Sequence, residues 1–335
     1  MSPPHPQTWL YPRPEGLFCE PGGFFIDPLR AVDRAVITHG HSDHARGGHR
    51  AVLAHAATLA IMKARGVAGK ASQAAGWGER IGMGEVTLWL EPAGHVLGSA
   101  QIVMAYRGSR AVVSGDYKRA ADPTCEAFVP VPCDVFVTEA TFGLPVFRHP
   151  PALGEISRLL ASMALYPGRA HVVGCYSLGK TQRLIALLRR AGWERPVYLD
   201  QALIAMCAVY EAHGVRLGDL RPALAADGAD LAGGIVLAPP PSIGERWVPR
   251  LGDPVVGLAS GWLGVRQRVR QGRVELPLVV SDHADWDELN ATLDEVAAPE
   301  VWVTHGSEAA LIHAVGRRGI RGRALRLVGY GEEEA

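Results

Sequence analysis

The stretch "VITHGHSDHARGG", Val36–Gly48, sets His39, His41, Asp43 and His44 within six residues, directly after an apolar run. In an extended or looped backbone, residues two apart point the same way, so His39 and His41 can converge on one ion. Asp43 and His44, where the chain turns into a predicted helix, are free to face a second. Imidazole mixed with carboxylate suits zinc, manganese or iron. The competing reading is a polar surface loop, and the density of ligand-type side chains behind a buried strand argues against it. Four such groups do not close two metal sites, so the stretch demands further ligands downstream.

They follow in order. "EPAGHVLGSA" supplies His95 after one predicted strand, and "AVVSGDYKR" supplies Asp116 at the end of another. Either alone would be ordinary turn chemistry; behind Val36–Gly48 they complete a set. Three more groups sit at predicted strand ends: Glu139 in "DVFVTEATFG", His283 with Asp285 in "VVSDHADW", and His305 in "VWVTHGSE".

Around these motifs the 335-residue chain divides by rhythm. Up to about residue 140 it reads as short apolar strands punctuated by Gly and Pro, with one helix near "ATLAIMKARG". From about 152 to 260 strands and helices alternate, the order of a parallel sheet with crossover helices. Two strand-then-helix units close the chain. The composition, 48% apolar and 20% charged, is that of a globular protein with a sizeable core. Formal net charge is zero, which excludes a whole-molecule basic field and makes any polyanion site local. Five cysteines without a C-x-x-C pair read as reduced structural thiols. The proline-rich start does not resemble a signal peptide, and no apolar run approaches the roughly 18–20 residues of a membrane helix, so a cytoplasmic protein without membrane contact is expected.

The ligand series with Asp27 in "FFIDP" resembles the metallo-β-lactamase superfamily, whose fold is an αββα sandwich with a two-metal site at one edge of its sheets. Glu139, His283 and His305 resemble the acidic and two histidine motifs of the β-CASP nucleases, in which an α/β domain is inserted into that sandwich. The expected parts are a metallo-β-lactamase portion over 1–150, the inserted β-CASP domain over 151–272, and a closing portion over 273–335. "ATFGLPVFRHP" and "YSLGKTQRL" are most similar to the bacterial ligase-associated DNA exonuclease family; β-CASP enzymes that process RNA share the same core.

The resemblance implies roles. His39, His41, His95 and Asp116 hold one divalent ion, Zn²⁺ or Mn²⁺, and Asp43, His44, Asp116 and His305 hold the other, with Asp116 bridging. Two ions about 3.5–4 Å apart acidify a water and stabilise the entering and leaving oxygens of phosphodiester hydrolysis. Asp43, Asp116, Glu139 and His283 are the expected catalytic groups. His283 is the general acid, with Glu139 or Asp285 tuning it, and Asp27 orients ligands without binding metal. The expected substrate is single-stranded DNA in preference to RNA, with a DNA ligase and a helicase as functional partners. Lys118, Arg148 and Lys180 are expected at phosphates, and "GVRQRVRQGR" offers Arg266, Arg268 and Arg270 at alternate positions of an extended segment. Tyr176 or Trp262 could stack on bases.

Three other readings carry less. "GCYSLGKT", Gly174–Thr181, matches the phosphate-loop pattern letter for letter, but only Asp200 offers itself as a partner Mg²⁺ aspartate. Lactam or thioester hydrolysis on the same fold leaves His283 and the 152–270 block without a purpose. A non-catalytic scaffold is expected to have lost ligands, and none is missing.

Overall fold

The computed structural model describes residues 2–244, 248–265 and 274–326. The chain forms two compact units, Met1–Pro145 with His283–Ala335, and Val146–Asp282.

The first unit is built on two sheets. In the first sheet β1 (Leu10–Arg13), β2 (Gly16–Cys19), β3 (Phe24–Ile26), β4 (Arg34–Val36), β5 (Ala51–His55) and β6 (Ala71–Ala75) lie in sequence order. Its first two pairings are antiparallel and the rest parallel. The second sheet runs β19 (Arg321–Ala324), β18 (Glu300–Gly306), β11 (Val135–Ala140), β10 (Ser109–Val113), β9 (Ala100–Tyr106), β8 (Val86–Pro92) and β7 (Ile81–Met83). Alternation along the strands explains the layering. Leu88, Leu90, Ile102, Met104 and Trp302 meet Leu17, Phe24 and Leu53 in one core between the sheets. The opposite set, Val103, Val112, Phe136, Val301 and Val303, is buried with Leu289, Leu293, Leu311 and Val315. Those last four belong to α6 (Trp286–Val296) and α7 (Glu308–Arg317). Met62 of α1 (Ala56–Ala64) is buried with Ile37, Val52 and Ala54 on the outer face of the first sheet. The result is the expected αββα sandwich.

The second unit carries an all-parallel sheet in the order β14 (Leu220–Pro222), β13 (Val197–Leu199), β15 (Ile235–Ala238), β12 (His171–Gly174), β16 (Val255–Ala259) and β17 (Leu276–Leu278). Its helices are α2 (Ala152–Leu165), α3 (Lys180–Arg190), α4 (Gln201–Ala212) and the one-turn α5 (Gly228–Leu231). The boundaries differ from those expected. The closing portion is expected to begin at 273, yet Leu276–Leu278 pairs with Gly257–Ala259 and so belongs to the sheet of the second unit. The unit opens at Val146 rather than 151. Among the described residues, no helix is long and apolar enough to cross a membrane.

Candidate metal centre and active site

Three parallel strand ends and two loops bring the ligand-type residues together. Beyond β4 the backbone amide of Thr38 donates to Asp27 Oδ1 (2.8 Å), and its hydroxyl donates to Asp27 Oδ2 (2.6 Å). The same Oδ2 lies 2.7 Å from His44 Nδ1, so one buried carboxylate ties the start of the histidine loop to its end. Asp27 adopts φ +41°, a left-handed conformation that Asp tolerates better than most residues. Arg65, at the end of α1, donates to the carbonyls of Gly40 (2.6 Å) and Ala45 (3.2 Å) and braces the loop from outside.

Asp116 follows Gly115, whose φ of +56° and closeness to Thr38 require a residue without a side chain; a Cβ there would lie 2.8 Å from Thr38 Cβ. Around Asp116 Oδ2 stand His39 Nε2 and His44 Nε2, each at 3.4 Å, and His95 Nε2 at 3.9 Å. His41 Nδ1 lies 3.0 Å from His95 Nε2. His39, His41, His95 and Asp116 each present a ligand atom within 4.8 Å of the others, as do His44, Asp116 and His305. Asp43 Oδ2 adds a carboxylate 3.4 Å from His44 Nε2.

These residues fit divalent ions. His39 is fully buried, yet no hydrogen bond satisfies its Nε2, and the same holds for Asp43 Oδ1. Buried polar atoms without partners are rare and call for an ion or water. The electrostatics agree. Burial, then the charge of His44, holds His39 well below the usual imidazole range, and burial pushes His305 down to about 4, which keeps both as neutral donors. Burial opposes charge on Asp116 and Asp43 as well, but the neighbouring His44 outweighs it and both carboxyls stay ionised. In turn Asp116 and Asp43 hold His44 well above the ordinary value against its burial.

His305 closes the set through a local irregularity. β18 runs parallel to β11, and the register shifts between Glu139 and Ala140 so that Ala140 faces Gly306. His305 takes φ +61° there and Gly306 φ +72°. Such bulges re-aim side chains.

A second constellation shares Asp116. Glu139 Oε2 stands 2.9 Å and Oε1 3.1 Å from His283 Nδ1. Glu139 also accepts from the Tyr117 amide (2.7 Å) and the Thr141 hydroxyl. His283 lies beside His95, ring centroids 4.6 Å apart and planes tilted by 55°. Asp116, Glu139 and His283 are close enough to hold an ion, but the Glu139 oxygens are engaged by three donors. Of the two carboxylates expected beside His283, Glu139 is the one at its ring. Asp285 Oδ1 caps α6, accepting from the amides of Asp287 and Glu288 at 3.0 Å each.

The expected phosphate contacts divide. Arg148 is exposed. Lys118 is nearly buried, its Nζ 3.2 Å from the His283 carbonyl and 3.3 Å from Glu288 Oε2. In the second unit Lys180 is also buried, 3.3 Å from Asp282 Oδ2. Arg266, Arg268 and Arg270 lie outside the described residues. Tyr176 is 45% exposed, whereas Trp262 packs edge-on against Phe147. The phosphate-loop look-alike is internally closed: Thr181 donates its hydroxyl to the Tyr176 carbonyl (2.7 Å), and the Gly179 amide donates to Gln182 (2.8 Å). A nucleotide-binding loop keeps those groups for phosphate and Mg²⁺. Sequence reasoning missed Thr38, Arg65, Tyr117 and Thr141. Only Thr38 and Tyr117, each next to a ligand, carried any signal.

Known proteins share parts of this sequence and fold. Residues 25–169 match the pattern of the Metallo-beta-lactamase superfamily. A "Probable DNA ligase" of Opitutus terrae is 26% identical over 322 residues, 95% of this chain and 31% of that protein. "Endoribonuclease ysh1" of Emericella nidulans is 36% identical over 108 residues, 31% of this chain and 12% of that one. The "RNase J-like protein" of Methanocaldococcus jannaschii is 28% identical over 134 residues, 36% of this chain and 31% of that one. The chain therefore spans less than a third of the length of these curated relatives. A crystal structure of a protein of unknown function from Enterococcus faecalis superposes with TM-score 0.59 at 12% identity, covering 88% of this chain and 79% of that one, a likeness of fold. Residues 25–169 thus resemble the Metallo-beta-lactamase superfamily, and the two-sheet fold, with an α/β unit following β11, agrees with that likeness.

Proposed function

We propose that the protein is a metal-dependent phosphodiesterase that hydrolyses nucleic acid, single-stranded DNA in the first instance. One observation carries this reading: beside the ligand set, His283 has its Nδ1 held by the buried Glu139 carboxylate, an imidazole prepared for proton transfer and not needed for metal binding. His39, His41, His95 and Asp116 would hold one ion, and Asp43, His44, Asp116 and His305 the other; the donor set suits Zn²⁺ or Mn²⁺. Bound ions supply charge neutralisation at the phosphate and acidify water.

The remaining roles fall to the chain's own side chains. As a water oxygen bonds to phosphorus and releases its proton to solvent, the bond to the leaving oxygen breaks; that bond's electron pair stays on the leaving oxygen, and His283 Nε2 gives it a proton. Glu139, which can only accept at Nδ1, stabilises the imidazolium that makes this transfer. Asp27 fixes the ring of His44. Arg148 and Tyr176, both exposed, are proposed to meet phosphate and base.

Support for DNA comes from the ligase relative, which matches 95% of this chain within 31% of its own length. That arrangement also supports a functional partnership with a DNA ligase in repair; a helicase partner rests on the family resemblance. The five free cysteines support work in the reducing cytoplasm. An RNA-processing role is the second reading, favoured by the endoribonuclease relatives. End-labelled single-stranded DNA and RNA of one sequence, incubated across a Zn²⁺ and Mn²⁺ series without ATP, decide between them. DNA cleavage that a chelator abolishes is expected. Degradation of RNA alone selects the second reading, and cleavage of neither ends both.

A further inference from the structure

We propose that Lys118 is a positioning residue for His283, setting the main chain from which the proton-donating ring projects; the proposal rests on the nuclease reading above. Lys118 is two residues beyond Asp116, where a cation suggests a phosphate contact, yet its ammonium is turned inward with the side chain only 10% exposed. There it donates to the His283 carbonyl at 3.2 Å and pairs with Glu288 Oε2 at 3.3 Å.

Glu288 is the hinge of this arrangement. Its Oε2 also accepts from the Asp285 amide (3.1 Å), and its Oε1 accepts from the Ala120 amide (2.7 Å). With Asp285 it forms the capping box of α6, so the carboxylate that Lys118 neutralises is the one that seats the helix start two residues past His283. A further bond runs from the Ala284 amide to the Tyr117 carbonyl at 2.7 Å. The segment leaving Asp116 is therefore stitched to the segment entering α6. The Lys118 backbone is itself held closely against Gly94, where at φ +76° a Cβ would lie 2.3 Å from the Lys118 carbonyl.

Glu139 fixes only the ring of His283, through Nδ1. The direction of its Cα–Cβ bond is set by the peptide planes on either side, and Lys118 grips the carbonyl of one of them. Without Lys118 that peptide plane keeps only its Ala284 amide bond to Tyr117, and rocking about this single anchor would swing Nε2 away from the leaving oxygen while leaving the metal ligands where they are. Displacements of about 1 Å at a catalytic group can cost about a hundredfold in rate.

The test compares the 335-residue parent with Lys118→Met, Lys118→Arg and Glu288→Gln at saturating Mn²⁺. Two substrates are used, a single-stranded oligonucleotide and the p-nitrophenyl ester of thymidine 5′-phosphate. The phenolate leaves without a proton, so the ester bypasses the general acid. Lys118→Met is expected to lower kcat on the oligonucleotide at least tenfold with KM within twofold, and to change kcat on the ester less than threefold. Lys118→Arg is expected to recover most of the loss, and Glu288→Gln, which keeps the shape of the cap, to show the same substrate selectivity more weakly. In the metal-free chain, hydrogen exchange of the peptide spanning Ala284 and Asp285 should quicken in Lys118→Met. A raised KM with kcat unchanged makes Lys118 a phosphate contact and overturns the proposal. Equal losses on both substrates, in Lys118→Met or, should that variant not fold, in Glu288→Gln, overturn it too. A parent inert toward both substrates removes the nuclease reading and this inference with it; a parent that cleaves both, with variants that match it, removes the inference alone.

Discussion

Asp27→Asn separates the task of orienting a ligand from that of binding metal. The Asp27 carboxylate accepts from the Thr38 amide at Oδ1 and from the Thr38 hydroxyl and His44 Nδ1 at Oδ2. Because a carboxylate only accepts, His44 must carry a hydrogen on Nδ1, so an ion beside Asp116 would displace the proton that the raised His44 holds on Nε2 and take the lone pair there. An asparagine can keep Oδ1 on the Thr38 amide and tolerates φ +41°, so the fold survives. Its amide nitrogen, however, then faces His44 Nδ1 and meets hydrogen with hydrogen. His44 either abandons the contact or moves its hydrogen to Nε2 and loses the donor pair. Loss of such an orienting partner typically costs 10–100-fold in metal affinity, about 1.4–2.7 kcal/mol. Calorimetric titration of the chelator-stripped protein with Zn²⁺ should show one binding event weakened by that factor and the other, at His39, His41 and His95, within threefold of the parent. Urea unfolding of the metal-free variant should lie within about 2 kcal/mol of the parent. Two unchanged affinities would refute the tautomer argument, and loss of both would show that Asp27 supports the whole loop rather than His44.

Gly306→Ala is expected to destabilise the chain by about 3 kcal/mol or more, because its Cβ would lie 2.2 Å from the Ala140 carbonyl at φ +72°; a urea midpoint like the parent's would contradict the bulge. Acid should weaken the metal-free chain selectively: burial holds His39 and His305 below the usual imidazole value, His305 to about 4, so they take up fewer protons folded than unfolded. Their contribution is intact above about pH 6.5 and shrinks towards pH 4, by about 1.4 kcal/mol per unit for each group. His44 has the opposite sign, since Asp116 and Asp43 raise it despite burial; its contribution is present below about pH 6.5 and lost as pH climbs through its elevated value. His305→Ala should flatten the decline in urea stability between pH 6.5 and 5, and an unchanged slope would count against the burial argument.

Much of the fold was legible because its strands are short apolar runs between Gly and Pro. "VTLWL", "QIVMAY" and "DVFVTEA" became β8, β9 and β11, and "TQRLIALLRRAG" became α3. Elements that escaped were those whose pattern does not distinguish them: Ala71–Ala75, mostly exposed and lacking large apolar side chains, is a strand only because β5 lies beside it. Leu276–Leu278 had the right period but no local sign of which sheet it would join.

Ligand identity is a local property. Closely spaced imidazoles and a carboxylate after an apolar strand point to metal chemistry wherever the strand goes, so the sequence by itself singled out His39, His41, Asp43 and His44; that His95, Asp116 and His305 join them as candidate ligands was implied by the family resemblance. What surrounds those ligands depends on residues far apart in the chain. Only the tertiary structure decided that Asp27 and Thr38 hold His44, that Arg65 braces the loop, and that Glu139 rather than Asp285 stands at the His283 ring. It likewise turned Lys118 inward. A lysine beside a metal ligand reads as a phosphate contact until a carboxylate 170 positions away, Glu288, and the His283 carbonyl are found around its ammonium, because a buried charge goes where its partners are.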